Sequence, residues 1–184
     1  MRELAGGKIR YDVFGPLVFR RDPSLSFKEA ISRLFSTAPD GLSKAVGAYV
    51  WTIEQGGKRV PWNIGLTSKQ GFQKRFEQKA ASFVPLLAER EFGIAEVYLV
   101  ALRNKKNGFR KPTKSDQGIP ANDWLETMLI SSAIRVNPKL KNTSKSKYMR
   151  NAIIAGYLND EVSKRTSDAH SFNQVFETSI GKRK

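Results

Sequence analysis

Gly47-Ala48-Tyr49-Val50-Trp51-Thr52-Ile53-Glu54 and, beyond Gln55-Gly56-Gly57, Lys58-Arg59-Val60-Pro61-Trp62-Asn63-Ile64-Gly65-Leu66 decide the architecture of this chain. The first run is rich in Val, Tyr, Trp and Ile, side chains that suit a pleated, half-buried surface. Gly56-Gly57 is a turn signal, and the second run returns with Val60 and Ile64. Residues 45–54 and 58–66 therefore predict a β-hairpin.

Downstream, Ser68 or Lys69 opens a predicted helix running to about residue 79, with Phe72 and Phe76 stacked one turn apart. A second helical piece extends to Glu91, and Gly93 closes it. From Ile94 to Arg103, Val97, Leu99 and Ala101 alternate with Glu96, Tyr98 and Val100, which predicts a third, central strand. The order is β-β-α-β.

Upstream, residues 1–42 form a leading segment in which Phe14-Gly15-Pro16 and Asp22-Pro23-Ser24 read as turns. Apolar residues at 27, 30, 31, 34 and 35 fit one face of a short helix, with Ser26 and Glu29 spaced as a capping box. Ala38-Pro39-Asp40-Gly41 ends that unit. Residues 104–121 carry five Lys or Arg, two Gly and two Pro and read as an exposed loop. A helix is expected from Asp123 to Arg135, stopped by Asn137-Pro138. Basic runs follow at 139–150 and 182–184, with a further helix over Ser171 to Phe176.

Composition narrows the function. The chain has 184 residues, 40% of them apolar, with three Trp and eleven Phe, enough to fill the core of a single domain. Its 32 Lys and Arg against 17 Asp and Glu leave a formal charge of +15, so a polyanion is the natural partner. No apolar run approaches the roughly 18 residues of a membrane span, and no long amphipathic basic helix suggests a membrane surface. Cysteine is absent and histidine occurs once, at His170, so thiolate and histidine-cluster metal sites are excluded and any metal must be held by oxygen. The N-terminal Met1-Arg2-Glu3-Leu4 leads into polar sequence, and a cytoplasmic protein is the expectation.

Three side chains carry candidate chemistry, each with a plainer reading beside it. Glu126 falls between Ile130 and Ala133 on a helical wheel, on an apolar face where a lone carboxylate is costly. It is either the capping-box partner of an Asp123 N-cap or the ligand of a cation. Tyr49 is either a core tyrosine or a proton acceptor, the latter requiring a nearby cation to stabilise its phenolate. Arg75, beside Phe76, either flanks a buried stripe in solvent or grips a phosphate with its planar guanidinium.

Taken together, Tyr49 in the first strand, Gly65 closing the second, the helical Arg75 and Leu125-Glu126-Thr127-Met128-Leu129-Ile130 far downstream resemble the motifs of the GIY-YIG nuclease family. The resemblance covers residues 45–142. It implies a compact α/β (α+β) domain over residues 43–142. A small, mostly antiparallel sheet of three strands or slightly more is flanked by helices, with an N-terminal extension (1–42) packed on it and a basic C-terminal extension (143–184). It further implies a metal-dependent DNA endonuclease in which Tyr49 takes a proton from the attacking water, Arg75 clamps the scissile phosphate and Glu126 holds Mg²⁺ or Mn²⁺.

Gly47 and Gly65 are expected to serve close backbone packing. Lys69, Lys74, Lys79, Lys105, Lys106, Arg110 and Lys111 are expected nucleic-acid contacts, as is Asn142, which matches the asparagine that closes the family's domain. One position departs from the pattern: Asn63 stands where the second motif has a tyrosine, and an amide donates and accepts hydrogen bonds but is no base near neutral pH. The alternative implied is a non-catalytic nucleic-acid-binding module on the same scaffold.

Overall fold

A computed structural model describes residues 9–19, 22, 24–55, 58–79, 95–114, 118–142 and 145, without the side chains of residues 54 and 55. The expected helical piece ending at Glu91, the Gly56-Gly57 turn, His170 and the helix over 171–176 lie outside the described residues.

The domain is α+β. Among the described residues its sheet has four strands rather than three: β1 (Tyr11–Phe19), β2 (Gly47–Gln55), β3 (Lys58–Thr67) and β4 (Ala95–Leu102), in the order β1-β4-β2-β3. Every neighbouring pair is antiparallel. The hairpin forms as the β-branched and aromatic run predicts, and β4 is interior, between β1 and β2.

The added strand comes from the leading segment, where Phe14-Gly15-Pro16 reads as a turn. Those residues instead form an irregularity inside β1, where the register with β4 shifts between Phe14 and Leu17. Proline lacks the N–H of a ladder residue and is confined to edge strands and bulges, and β1 is such an edge. Gly15 holds φ 127°, where a Cβ would press to 2.7 Å from the Val97 carbonyl, so the side-chain-free residue permits the kink. Of the expected Asp22-Pro23-Ser24 turn, Pro23 lies outside the described residues, and the Asp22 carboxylate accepts from the Ser24 backbone N–H at 3.0 Å and its hydroxyl at 2.6 Å.

Helix α1 (Phe27–Phe35) carries the capping box: the Glu29 carboxylate accepts from the Ser26 N–H, and the Ser26 hydroxyl accepts from the Glu29 N–H. Helix α2 (Phe72–Gln78) begins later than Ser68. The Thr67 hydroxyl donates to the Gln70 carbonyl and holds the intervening residues in bends, and Gly71 is extended as the N-cap.

Helix α3 (Pro120–Val136) begins one turn earlier than Asp123, with Pro120 in its first turn and Ile119 as N-cap. Proline's fixed φ suits that position, where its missing N–H has no intrahelical partner to lose. Asp123 is therefore inside the helix, and the proposed Asp123–Glu126 capping box does not form.

The core lies between α1, α2 and one sheet face: Ile31, Leu34 and Phe35 from α1 and Phe72 and Phe76 from α2 pack with Tyr49, Trp51, Val97 and Leu99. Phe76 is its aromatic centre, with ring centroids 5.8, 5.0 and 5.3 Å from those of Phe35, Tyr49 and Trp51. Burying a large side chain of this kind is worth about 1.5–3 kcal/mol. Helix α3 packs against β3 and β2 through buried Ile130 and Ala133.

Two clamps fix α3 and the chain after it. Asn122, fully buried, accepts from the Tyr11 hydroxyl at 3.0 Å and donates to the Thr67 carbonyl at 3.0 Å and the Ser68 hydroxyl at 3.3 Å. At the outer edge of β3, Asn142 accepts from the Ile64 N–H at 2.8 Å and donates to the Ile64 carbonyl at 2.5 Å. Lys141 N–H donates to the Trp62 carbonyl and Asn137 to the Pro61 carbonyl.

Candidate functional site

Tyr49, Gly65, Asn63, Arg75 and Glu126 come from four elements. Tyr49 on β2 pairs directly with Gly65 on β3, and Trp51 pairs with Asn63, so all four positions belong to one sheet face. The Tyr49 ring crosses β3 at Gly65: a Cβ on residue 65 would fall on the phenol oxygen and 2.5 Å from Cζ. Gly65 is thus required by a side chain, where a close backbone contact was expected. Gly47 does meet that expectation, since a Cβ there would fall on the Val100 carbonyl.

Helix α2 places Arg75 beside the phenol. Phe72 and Phe76 fix the helix in the core, and Arg75, half-buried, hydrogen-bonds Tyr49. Its Nε is buried with no hydrogen-bond partner among the described residues, so part of the guanidinium's donor capacity remains for another group. Glu126 sits on the inner face of α3 with Ile130 and Ala133 and is half-buried, its charge reaching Tyr49.

Burial is the dominant influence on Tyr49, which is 2% exposed, and it pushes the phenol pKa above the ordinary tyrosine value. The Arg75 charge and hydrogen bond pull it down, and Glu126 pushes it further up. The balance is upward, so at neutral pH Tyr49 carries its proton. A cation against Glu126 would remove the last of these influences.

Beside this constellation opens a cleft of about 460 Å³, lined among others by Leu66, Lys69, Arg75, Gln78, Ile119 and Asp123. Its floor is the bend that Thr67 holds, and one wall is the N-terminal turn of α3. The Gln70 amide donates to the Gln78 side-chain oxygen at 2.7 Å, joining the bend to α2.

The basic residues divide into two groups. Lys69 lines the cleft with Arg75, while Lys74 is exposed on α2 and Lys79 is half-buried just after it. Lys105, Lys106, Arg110 and Lys111 belong to the segment after β4, whose described residues form the expected, largely exposed loop, pinned by Asn104. The Asn104 carboxamide accepts from the N–H groups of Lys106 and Gly108 and donates to the Phe109 carbonyl. Arg103 pairs with Asp12 at 2.6 Å and stacks over Phe109 at 4.5 Å.

Lys105 and Lys106 are exposed at this tip. The segment then returns along the sheet: Val46 N–H donates to the Arg110 carbonyl, and Thr113 N–H donates to that of Ser68, on the cleft wall. Asn142, grouped with the nucleic-acid contacts by its place in the sequence, has its amide engaged by Ile64.

Sequence reasoning missed Asp123 as a cleft residue and Asn122 as the anchor of α3. The signal for Asp123 was its place three residues before Glu126, which puts both carboxylates on neighbouring positions of a helix surface. Asn122 gave no local signal, because its partners lie more than fifty residues away.

Among the described residues no group of three or more His, Cys, Asp or Glu gathers to hold a metal ion. Glu126 is a half-buried carboxylate whose charge reaches Tyr49. One or two carboxylates completed by phosphate oxygens and water are what Mg²⁺ commonly uses, so this donor set fits an ion that arrives with a phosphate substrate.

Among the described residues no helix is long and apolar enough to cross a membrane. Comparison of the chain with protein-family models, with curated proteins and with solved structures finds no match.

Proposed function

We propose that this protein is a metal-dependent endonuclease of the GIY-YIG type that hydrolyses phosphodiester bonds in DNA. The observation that carries this reading is that two residues distant in the sequence act on Tyr49: Arg75 hydrogen-bonds its phenol, and the charge of Glu126 reaches it. A phenol, a guanidinium and a carboxylate coupled in this way offer a proton acceptor, a phosphate clamp and a hard-cation ligand. The charge of +15 supplies the attraction to a polyanion.

In this mechanism Arg75 bonds the scissile phosphate and offsets the charge that builds on it as a water oxygen attacks. In its phenolate form Tyr49 takes a proton from that water, and the P–O ester bond breaks as a solvent proton goes to the leaving oxygen. Glu126 would hold Mg²⁺, which supplies Lewis-acid polarisation of the phosphate when bound. Asn63 orients water or phosphate through its amide without acting as a base.

A second reading has its own observation. The raised pKa of Tyr49, with Asn63 at the second-motif position, favours a nucleic-acid-binding module without turnover. Incubating supercoiled plasmid with the protein in Mg²⁺ or EDTA, beside Glu126→Ala, separates the two. Nicking that requires Mg²⁺ and disappears in the variant supports the nuclease. Salt-sensitive binding without nicking supports the module.

A further inference from the structure

We infer that the cleft beside Arg75 receives one unstacked nucleotide of a nucleic-acid strand. This rests on the proposed action on DNA and names the substrate feature that the site selects.

The cleft's volume, about 460 Å³, lies within the roughly 300–1,000 Å³ of small-ligand pockets and is far too small for a duplex. Its walls match the three chemistries of a nucleotide. Leu66 and Ile119 are aliphatic surfaces for the faces of a base. Gln78 and Asp123 offer amide and carboxylate groups to a base edge, and Lys69 and Arg75 are cations for a phosphate.

Arg75 belongs to both places, bonding Tyr49 and lining the cleft. A nucleotide seated there holds its own phosphate beside the Tyr49 hydroxyl. Seating it requires the base to leave its stack and its partner, which costs least where the base is already unpaired. The Asp123 carboxylate only accepts, so it favours guanine, whose N1–H and N2 amino group donate side by side to its two oxygens, over thymine, which offers the single N3–H donor.

The basic segment after β4 supports the same selection. It reaches the cleft wall through Thr113 and Ser68 and presents Arg110 and Lys111 at the same end of the sheet, where they would hold the flanking backbone. Affinity for paired DNA then comes from charge, and the added affinity for an unpaired nucleotide comes from the cleft.

The test measures binding of the full-length protein in EDTA to two labelled duplexes, identical except that one carries a single unpaired 2-aminopurine. The expected result is about tenfold tighter binding of the interrupted duplex, with a change in 2-aminopurine emission. Leu66→Ala with Ile119→Ala should collapse that ratio toward one. Equal affinity for the two duplexes by the wild-type protein overturns the inference. So does displacement of the interrupted duplex by free deoxyadenosine monophosphate at equal affinity, which would mark a site for free nucleotides.

If circular dichroism shows the double variant unfolded, Asp123→Asn, at an exposed position, decides the matter: loss of a preference for an unpaired guanine over an unpaired thymine supports the inference, and retention overturns it. Plasmid nicking is scored separately. Nicking without any unpaired-base preference removes only this inference, and the preference without nicking removes only the nuclease reading.

Discussion

The phenol of Tyr49 lies over Gly65, its direct partner across the β2–β3 ladder, in the space that a side chain at residue 65 would fill. Two positions sixteen residues apart are therefore one structural unit. The first residue can carry a large polar ring at that depth because the second carries nothing.

Gly65→Ala tests this pairing. Its Cβ would displace the phenol from Arg75, and overpacking of this kind costs about 1–3 kcal/mol. Urea denaturation should show that loss. Nicking should fall at least as far as in Tyr49→Phe, which keeps the ring and removes only the hydroxyl. Wild-type nicking by Gly65→Ala would show that the position of the phenol is irrelevant to cleavage.

The pH profile follows from the raised pKa of Tyr49. Its proton is held at neutral pH, so the reactive phenolate fraction should grow about tenfold per pH unit, and single-turnover nicking should climb between about pH 6 and 9. Tyr49→Phe should flatten that slope along with the rate. A rate independent of pH in the wild-type protein would remove Tyr49 as the proton acceptor.

Alkali should also loosen the fold at Tyr11. Burial pushes its pKa up to about 12 from an ordinary value of 10.0. A raised folded-state pKa means that the folded protein holds the proton more tightly, so the stabilisation is full below about pH 10 and lost as pH rises toward 12. Thermal melts across that window should fall more steeply for the wild-type protein than for Tyr11→Phe, whose bond to Asn122 is already absent.

Asn122→Ala removes a fully buried amide that satisfies three partners from β1 and the end of β3. Stranding such groups costs about 1–3 kcal/mol each, so a loss of several kcal/mol is expected by urea titration. Amide hydrogen exchange should rise first in the N-terminal turn of α3, the wall of the cleft.

What could be read along the sequence was local chemistry. The hairpin announces itself through Val50, Trp51, Ile53, Val60 and Ile64, and the α1 cap through two residues three apart. The face of α3 that carries Glu126 was legible too, because Ile130 and Ala133 recur at helical spacing and are buried. The errors came from residues with two local meanings. Pro16 breaks most regular structure but is tolerated at an edge-strand irregularity. Asp123 suits an N-cap, but Pro120 had already started the helix.

The site was legible as a set of residues before it was legible as geometry. Its motif residues could be listed in order, but the bond between Tyr49 and Arg75 depends on Phe72 and Phe76 seating α2 in the core. The cleft was not legible, because it is assembled from the end of β3, the bend after it, and two helices.

The seam along β3 has a consequence for how little of this chain can be dispensed with. The side chain of Asn142 gives Ile64 both of the bonds that a neighbouring strand would give it. A chain cut at the end of α3 would keep every strand and helix described and still leave β3 open along Pro61 to Ile64, ready to recruit the edge of another molecule. Six residues without regular structure therefore decide whether this sheet ends with itself or continues into its neighbours.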